Sequence, residues 1–338
     1  MSTRARQVIP GLTLAVVVAV AATHLGTFRP VVGAPVLGIT VGMVLAGLIR
    51  PGDDLRPGFD FAAKPVLQAS IVVLGGILSL RQVATVGIGS LPVMLGTLAV
   101  ALVGAAVLGR ALGVRGDAQL LIGVGTGICG ASAIAAVTAV VKPKQTHVAY
   151  AIGTIFTFNV AAVLLFPALG HAWHLSPHSF GLWAGTAVND TSSVVAAAYS
   201  FAATAGPYAV VVKLTRTLTL IPIVLALGIW QARRAARTAD PATARSAGVP
   251  WRRVVPWFLF GFLAMSALDT LGGVPSGWQP DITHAGTFLI TVALAGIGLS
   301  LRWGAIRGAG ARPLLLGGCL WVLVAATSLG LQALTHTL

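Results

Sequence analysis

Residues 123–141 read GVGTGICGASAIAAVTAVV, and the fold turns on how that stretch is placed. Long apolar segments surround it, yet it opens with four glycines in eight residues: Gly123, Gly125, Gly127 and Gly130, interleaved with Thr126, Cys129 and Ser132. Glycine costs roughly 1 kcal/mol relative to alanine inside a helix, so the cluster marks unwound or closely approached backbone. Within a membrane, such backbone survives only where protein buries it or a cavity hydrates it. A second stretch, residues 185–198, reads GTAVNDTSSVVAAA and contributes Gly185, Thr186, Asn189, Asp190, Thr191 and Ser192. Shifted by 60 positions the two align, Gly125-Thr126 on Gly185-Thr186, Ser132 on Ser192 and Ala136 on Ala196. Two broken, polar, related segments point to a transporter binding site. Close helix packing through small residues is the competing explanation, but packing alone does not call for Asn189-Asp190.

Composition fixes the class. With 56% hydrophobic and 9% charged residues and a mean hydropathy of +0.90, the chain reads as a polytopic membrane protein. Eleven apolar segments run from Pro10 to Thr335, among them Pro65–Leu80, Leu91–Gly109, Ala118–Val141 and Phe180–Ala203. The reading is therefore all-α, a single transmembrane domain over residues 1–338, with two discontinuous or re-entrant helices. A net charge of +14 would suit nucleic acid, but the cations sit in short loops between spans. That is the pattern of cytoplasmic loops near anionic lipid, so the bilayer is the expected partner and nucleic acid is not. Sixteen basic residues, Lys64 among them, can be placed inside with only Arg29 and Arg81 outside, which puts the N-terminus in the cytoplasm. Lys142 and Lys144 resist: they fall outside if both glycine-broken segments span, and inside if both are hairpins entering from opposite faces.

A second repeat suggests an inverted design. Residues 75–96 (GGILSLRQVATVGIGSLPVMLG) match residues 296–317 (GIGLSLRWGAIRGAGARPLLLG) without a gap, with Leu-Ser-Leu-Arg, Pro92/Pro313 and Gly96/Gly317 coincident. The two copies fall at opposite faces of the proposed topology, as inverted-topology transporters require.

The combination GTGICGASAIAA, GTAVNDTSSVVAAA and KLTRTLTLIP resembles the YeiH-like family of bacterial membrane proteins, often labelled sulfate exporters, across about residues 35–334. In that family the second motif more often carries His at the position of Asn189. The resemblance implies a fold related to cation/proton antiporters and anion transporters, with inverted repeats and discontinuous helices.

Charges inside the membrane carry the chemistry. Lys213 and Arg216 lie in the apolar segment 207–230, about 10 and 15 Å from its start at ~1.5 Å per residue. Three apart, they share a helix face, and each costs about 2.5–3.5 kcal/mol at mid-membrane unless paired or hydrated. One reading has Lys213 snorkelling and Arg216 paired with Asp190. The other has both facing a cavity, with Asp190 offsetting one, so that the site prefers a small anion. Hydroxyls of Thr126, Ser132, Thr186, Thr191 and Ser192 and the N–H groups of half-helix N-termini would add donors. Asn159 reads as an interhelical hydrogen bond before a cavity residue. His171, His174 and His178 have no acidic or cysteine companion, so an interfacial loop is expected rather than a metal site. Cys129 and Cys319 fall in apolar segments, and no Walker motif follows the glycines. No cofactor is expected. The favoured function is secondary transport of a small anion by alternating access; a channel or a membrane-embedded enzyme are the alternatives, and self-association is left open.

Overall fold

A computed structural model describes residues 3–28, 34–49, 51–238, 257–300 and 310–337. Among them the chain is helical between short turns. The elements are α1 (Thr3–Phe28), α2 (Ala34–Ile49), α3 (Arg56–Phe61), a π-turn (Ala62–Val66), α4 (Leu67–Leu74), α5 (Leu80–Ala111), α6 (Asp117–Gly127), α7 (Ala131–Val141) and α8 (Gln145–Ala172). They continue with α9 (Pro177–Ala187), α10 (Thr191–Phe201), α11 (Ala205–Leu218), α12 (Leu220–Thr238), α13 (Trp257–Thr270), α14 (Gln279–Leu299) and α15 (Ala311–Leu334). Seven of these stretches are long and apolar enough to cross a membrane. Their outward faces stay apolar, with Leu48, Val103 and Val322 more than half exposed, as lipid contact requires.

Both glycine-broken segments turn back on themselves. Each is an eleven-residue helix, a three-residue break and a second eleven-residue helix, and every boundary of the second hairpin is that of the first plus 60. In the first, Asp117 at the start of α6 lies 3.7 Å from His147 at the start of α8, which places the entry and the exit of the hairpin at one end of the molecule. In the second, Phe180 near the start of α9 stacks on Phe201 at the end of α10, ring centroids 4.0 Å apart. Between them α8, 28 residues long, carries the chain from one end to the other. The hairpins therefore enter from opposite ends and meet tip to tip: a Cβ on Gly130 would come within 3.1 Å of the Asp190 Cβ. Gly130 has φ +65°, a left-handed turn that L side chains rarely adopt, which is why glycine stands at the sharpest point of the first hairpin.

This topology puts Lys142 and Lys144 at the same end as Arg110 and Arg115, and it takes the loop at His174 to the other end. Two span boundaries differ from the sequence expectation. Leu80–Ala111 is one helix, begun by a capping box between Ser79 and Gln82, where the apolar count alone began at Leu91. The preceding span is Asp53–Ile77, not Pro65–Leu80, so Lys64 lies within a span rather than in the loop before it. The error has a local cause. Pro65 reads as the first turn of a helix, whereas here it sits inside a π-turn, whose wider ring accommodates the missing N–H.

The helices pack as two sets. One comprises α1, α2, the α3–α4 segment, α13 and α14; the other comprises α5 to α12 and α15, hairpins included. Contact between the sets is thin, confined chiefly to α10 with α2 and α14 and to α5 with α13. Within the sets, glycines allow near backbone contact: Gly42 and Gly298 bring α2 against α14, and Gly58 brings α3 against α1. Helix α4 runs antiparallel to α14, Leu74 meeting Gly286 and Ala62 meeting Gly296, and α5 runs antiparallel to α15, Gly96 meeting Leu331 and Gly104 meeting Leu320. The second copy of the Leu-Ser-Leu-Arg repeat is described only as far as Ser300; residues 301–309, with Arg302 and Arg307, lie outside the described residues, as does the whole of the stretch 239–256.

In a background with Cys129 and Cys319 replaced, single cysteines at Arg115 and Lys144 should be labelled from one side of the membrane and a cysteine at His174 from the other. Labelling of Lys144→Cys from the face opposite Arg115→Cys would mean that the first glycine-broken segment spans.

Candidate functional site

The three-residue breaks leave two helices ending in the interior, α6 at Gly127 and α9 at Ala187. The last carbonyls of a helix have no intrahelical donor, and the helix end carries about half a negative charge. Buried without partners, these groups would be costly. Helix α11 supplies the partners. Lys213 Nζ donates to the Ile128 carbonyl at 2.9 Å and to the Val188 carbonyl at 2.8 Å. Arg216 Nε donates to Gly127 O at 2.7 Å, its Nη2 to Thr126 O at 3.0 Å, and its Nη1 to the carbonyl of Thr186. Both side chains are fully buried. Five donated hydrogen bonds thus tie both hairpin tips to one face of α11.

That arrangement corrects the expectation for the cationic pair. Lys213 and Arg216 do share a helix face, but neither snorkels, neither pairs with Asp190, and neither lines the cavity described below. Their partners are backbone carbonyls at two negative helix ends. Gly125, Thr126, Gly127 and Cys129 are buried in the first tip and Gly185, Thr186 and Asn189 in the second, behind the tip surfaces. Thr186 serves packing as well, its hydroxyl 2.7 Å from that of Ser328 on α15. Gly185 lies against α11, where a Cβ would meet Val212 at 2.6 Å.

The outgoing helices behave differently. Their N-termini, at Ala131 and Thr191, start at the meeting point of the tips and carry partial positive charge. Asp190 caps α10, accepting from the Ser193 N–H at 3.2 Å and from the Ser192 hydroxyl. The α7 terminus has Gly130 as its cap residue and no side-chain acceptor, so its first N–H groups remain available. Ser132 is exposed and Thr191 half-buried.

These termini face a cavity of about 310 Å³ between the two helix sets. The hairpin wall is formed by Ala131, Asp190, Ser192 and Ser193, with Asn159 and Ile155 of α8 beside it. The opposite wall is formed by Ile39 and Met43 of α2, by Asp60 and Lys64 at the π-turn, and by Gly298 and Ser300 at the end of α14. Of the residues expected from sequence, then, the structure brings Asp190 and Ser192 onto the cavity and leaves Gly130 at its edge. Asn159 differs from expectation: it lines the cavity, is 6% exposed, and its Oδ1 has no hydrogen-bond partner. Ser193, Ser300, Asp60 and Lys64 were missed. For the last two a signal existed, since charges four apart beside a proline preceding an apolar run also fit a helix interrupted at that proline. Among the described residues no cluster of His, Cys, Asp or Glu suits a metal ion. Lateral apolar contacts seal the end of the molecule away from Lys64: Ile71, Leu74, Val195, Tyr199, Val210 and Phe262 form one cluster where α4, α10, α11 and α13 meet.

With this geometry in place, comparison with known proteins is informative. The chain matches the family described as Conserved hypothetical protein 698 over residues 10–317. It is 39% identical to a UPF0324 membrane protein of Streptococcus pyogenes serotype M6 over 340 residues, 98% of each chain. It is equally 39% identical to a UPF0324 membrane protein of Streptococcus pneumoniae over 331 residues, 96% of each. A relative from Streptococcus agalactiae serotype V is 37% identical over 98% of this chain and 99% of its own. The chain belongs to this family of membrane proteins, the YeiH-like family that its three motifs resemble.

Hydrogen bonds to a charged group contribute about 1.5–3 kcal/mol each, and removing one partner of a buried ionic contact costs on the order of 3–5 kcal/mol. Arg216→Gln should therefore lower the thermal unfolding temperature in detergent markedly, and Arg216→Lys, which keeps the charge but not the three-way fork, should lower it less. Parental stability in Arg216→Gln would remove the capping account.

Proposed function

We propose that this membrane protein is a secondary transporter of a small anion, working by alternating access around the meeting point of the two hairpins. The observation that carries the reading is the cavity itself. It lies where two thinly connected helix sets face each other, and one of its walls is built from the N-termini of two half-helices. Half-helix N-termini near the midplane are a recurring way to hold anionic groups in transporters. The antiparallel pairing of α4 with α14 and of α5 with α15 suits an inverted repeat, the design that lets one fold open in either direction.

The anion would sit at the uncapped α7 terminus, close to the Asp190 carboxylate. Two negative groups at such a distance repel strongly where the dielectric is low. A proton on Asp190 removes that repulsion, so movement of the anion would be coupled to a proton. The basic end would face the cytoplasm, by the distribution of Lys and Arg; the cavity then opens inward, with the apolar cluster around Phe262 as the closed outer gate.

Proteoliposomes containing the purified protein should show uptake of at least one anion from a panel of sulfate, chloride and succinate, faster under an imposed pH gradient. Asp190→Asn should keep anion exchange while losing roughly tenfold of the gradient-driven rate, the ratio that ~1.4 kcal/mol of lost coupling gives. Flux no greater than in protein-free liposomes, with or without the gradient, for every anion of the panel would sink the transporter reading.

A further inference from the structure

Lys64 is the residue whose position is hardest to explain structurally. It lies eleven residues into the 25-residue apolar span 53–77, about 16 Å along at ~1.5 Å per residue. A lysine at such depth is expensive unless it has a partner or faces water. Among the described residues the Lys64 side chain has no ion pair and no hydrogen bond, the ion pairs there being Arg56 with Asp53 and His147 with Asp117. It is exposed, and the space it borders is the cavity. The π-turn that holds it is enforced by Pro65, and π-turns within helices recur at functional sites because the extra residue re-aims the side chains around it.

The facing wall offers complementary groups. The α7 N-terminus has no side-chain cap. Asn159, 6% exposed, lines the same wall; its unpartnered Oδ1 is an acceptor, so the group it can offer an anion is the Nδ2 amide donor. Among the described residues, Lys64 on one wall and Lys213 and Arg216 behind the other outnumber Asp60 and Asp190 by three to two. Lys213 and Arg216 have their donors on carbonyls. Among the described residues around the cavity, Lys64 is the cation left with free donors.

We propose that Lys64 is the residue that grips the anion, bridging it from the α3–α4 wall to the N-terminus of α7 and the Asn159 amide on the other. The inference rests on the anion-transport reading and names the direct charged contact that reading lacks. The ligand class follows from the site. A cavity of about 310 Å³ is at the small end of ligand pockets, which suits an inorganic oxyanion or a short carboxylate. An ammonium is a compact point charge without the planar fork of arginine, so charge and size rather than bidentate geometry would set the selectivity. Asp60, one helical turn before Lys64 and on the same wall, makes no ion pair with it and is the neighbouring carboxylate that an anion there must compete with.

The test is the anion-induced thermal shift of the purified full-length protein, using sodium sulfate, chloride and succinate at matched sodium concentration and ionic strength. The parent should be stabilised by at least one of them. Lys64→Gln should need roughly tenfold or more of that anion for the same shift. Lys64→Arg should keep the response, and Lys144→Gln, which removes an exposed lysine remote from the cavity, should match the parent. Lys64→Met, which preserves the apolar stem, replaces Lys64→Gln if the latter does not fold. An unchanged anion response in the charge-removed variant overturns the role of Lys64 and leaves the anion reading standing. If no anion of the panel stabilises the parent, the anion reading itself fails, and Lys64 falls with it.

Discussion

Two cations against five carbonyls hold this molecule in its shape. A helix that stops in the middle of a membrane presents unpaired carbonyls and a negative end; a lysine or arginine at the same depth presents an unpaired positive charge. Either alone is a liability of several kcal/mol. Brought together on α11 they cancel, and the cancellation occurs twice over, because Lys213 and Arg216 each touch both hairpins. The tips are thereby fixed to one helix and to each other. What remains uncompensated is the opposite polarity at the N-terminus of α7, the α10 terminus being capped by Asp190, and both termini border the cavity.

That division of polarity gives the hairpins a back and a front. The back is buried and mostly satisfied: glycines for close approach, carbonyls capped by cations, Thr186 and Ser328 joined hydroxyl to hydroxyl, with the Asn189 Oδ1 left without a partner. The front is polar and incompletely satisfied, with Asp190, Ser192, Ser193 and Asn159 around the available N–H groups of α7. Among the described residues the two helix sets meet chiefly along this front and the apolar seam beyond it. A small contact area between sets, beside large glycine-mediated contacts within them, is what relative movement of the sets requires.

Much of this was legible in the sequence, and the failures have particular causes. The glycine clusters and the 60-residue correspondence located both breaks, and the structure repeats that offset at every helix boundary. Whether the segments crossed or returned was not legible, because the local pattern of helix, break and helix is the same in both cases and only Lys142 and Lys144 bore on it. The membrane cost of Lys213 and Arg216 correctly flagged them as needing partners. The partners were sought among carboxylates, since backbone carbonyls leave no mark in a sequence. Lys64 was missed for a different reason: Pro65 marks a helix start in most contexts, whereas here it lies inside a π-turn that a single span runs through. Asn159 carried no distinguishing signal, as a lone amide in an apolar helix fits an interhelical hydrogen bond equally well.

The capping arrangement also sets an order of assembly. Thr126 and Gly127 are joined to Arg216, about ninety residues later in the chain, and Thr186 and Val188 to residues of the same helix. During synthesis from the N-terminus both hairpins emerge before the helix that caps them. Until α11 arrives, two re-entrant tips with bare carbonyls have no stable place in hydrocarbon. A chain ending before residue 213 therefore lacks the cations that cap both hairpins, and with them the partners that buried tips need.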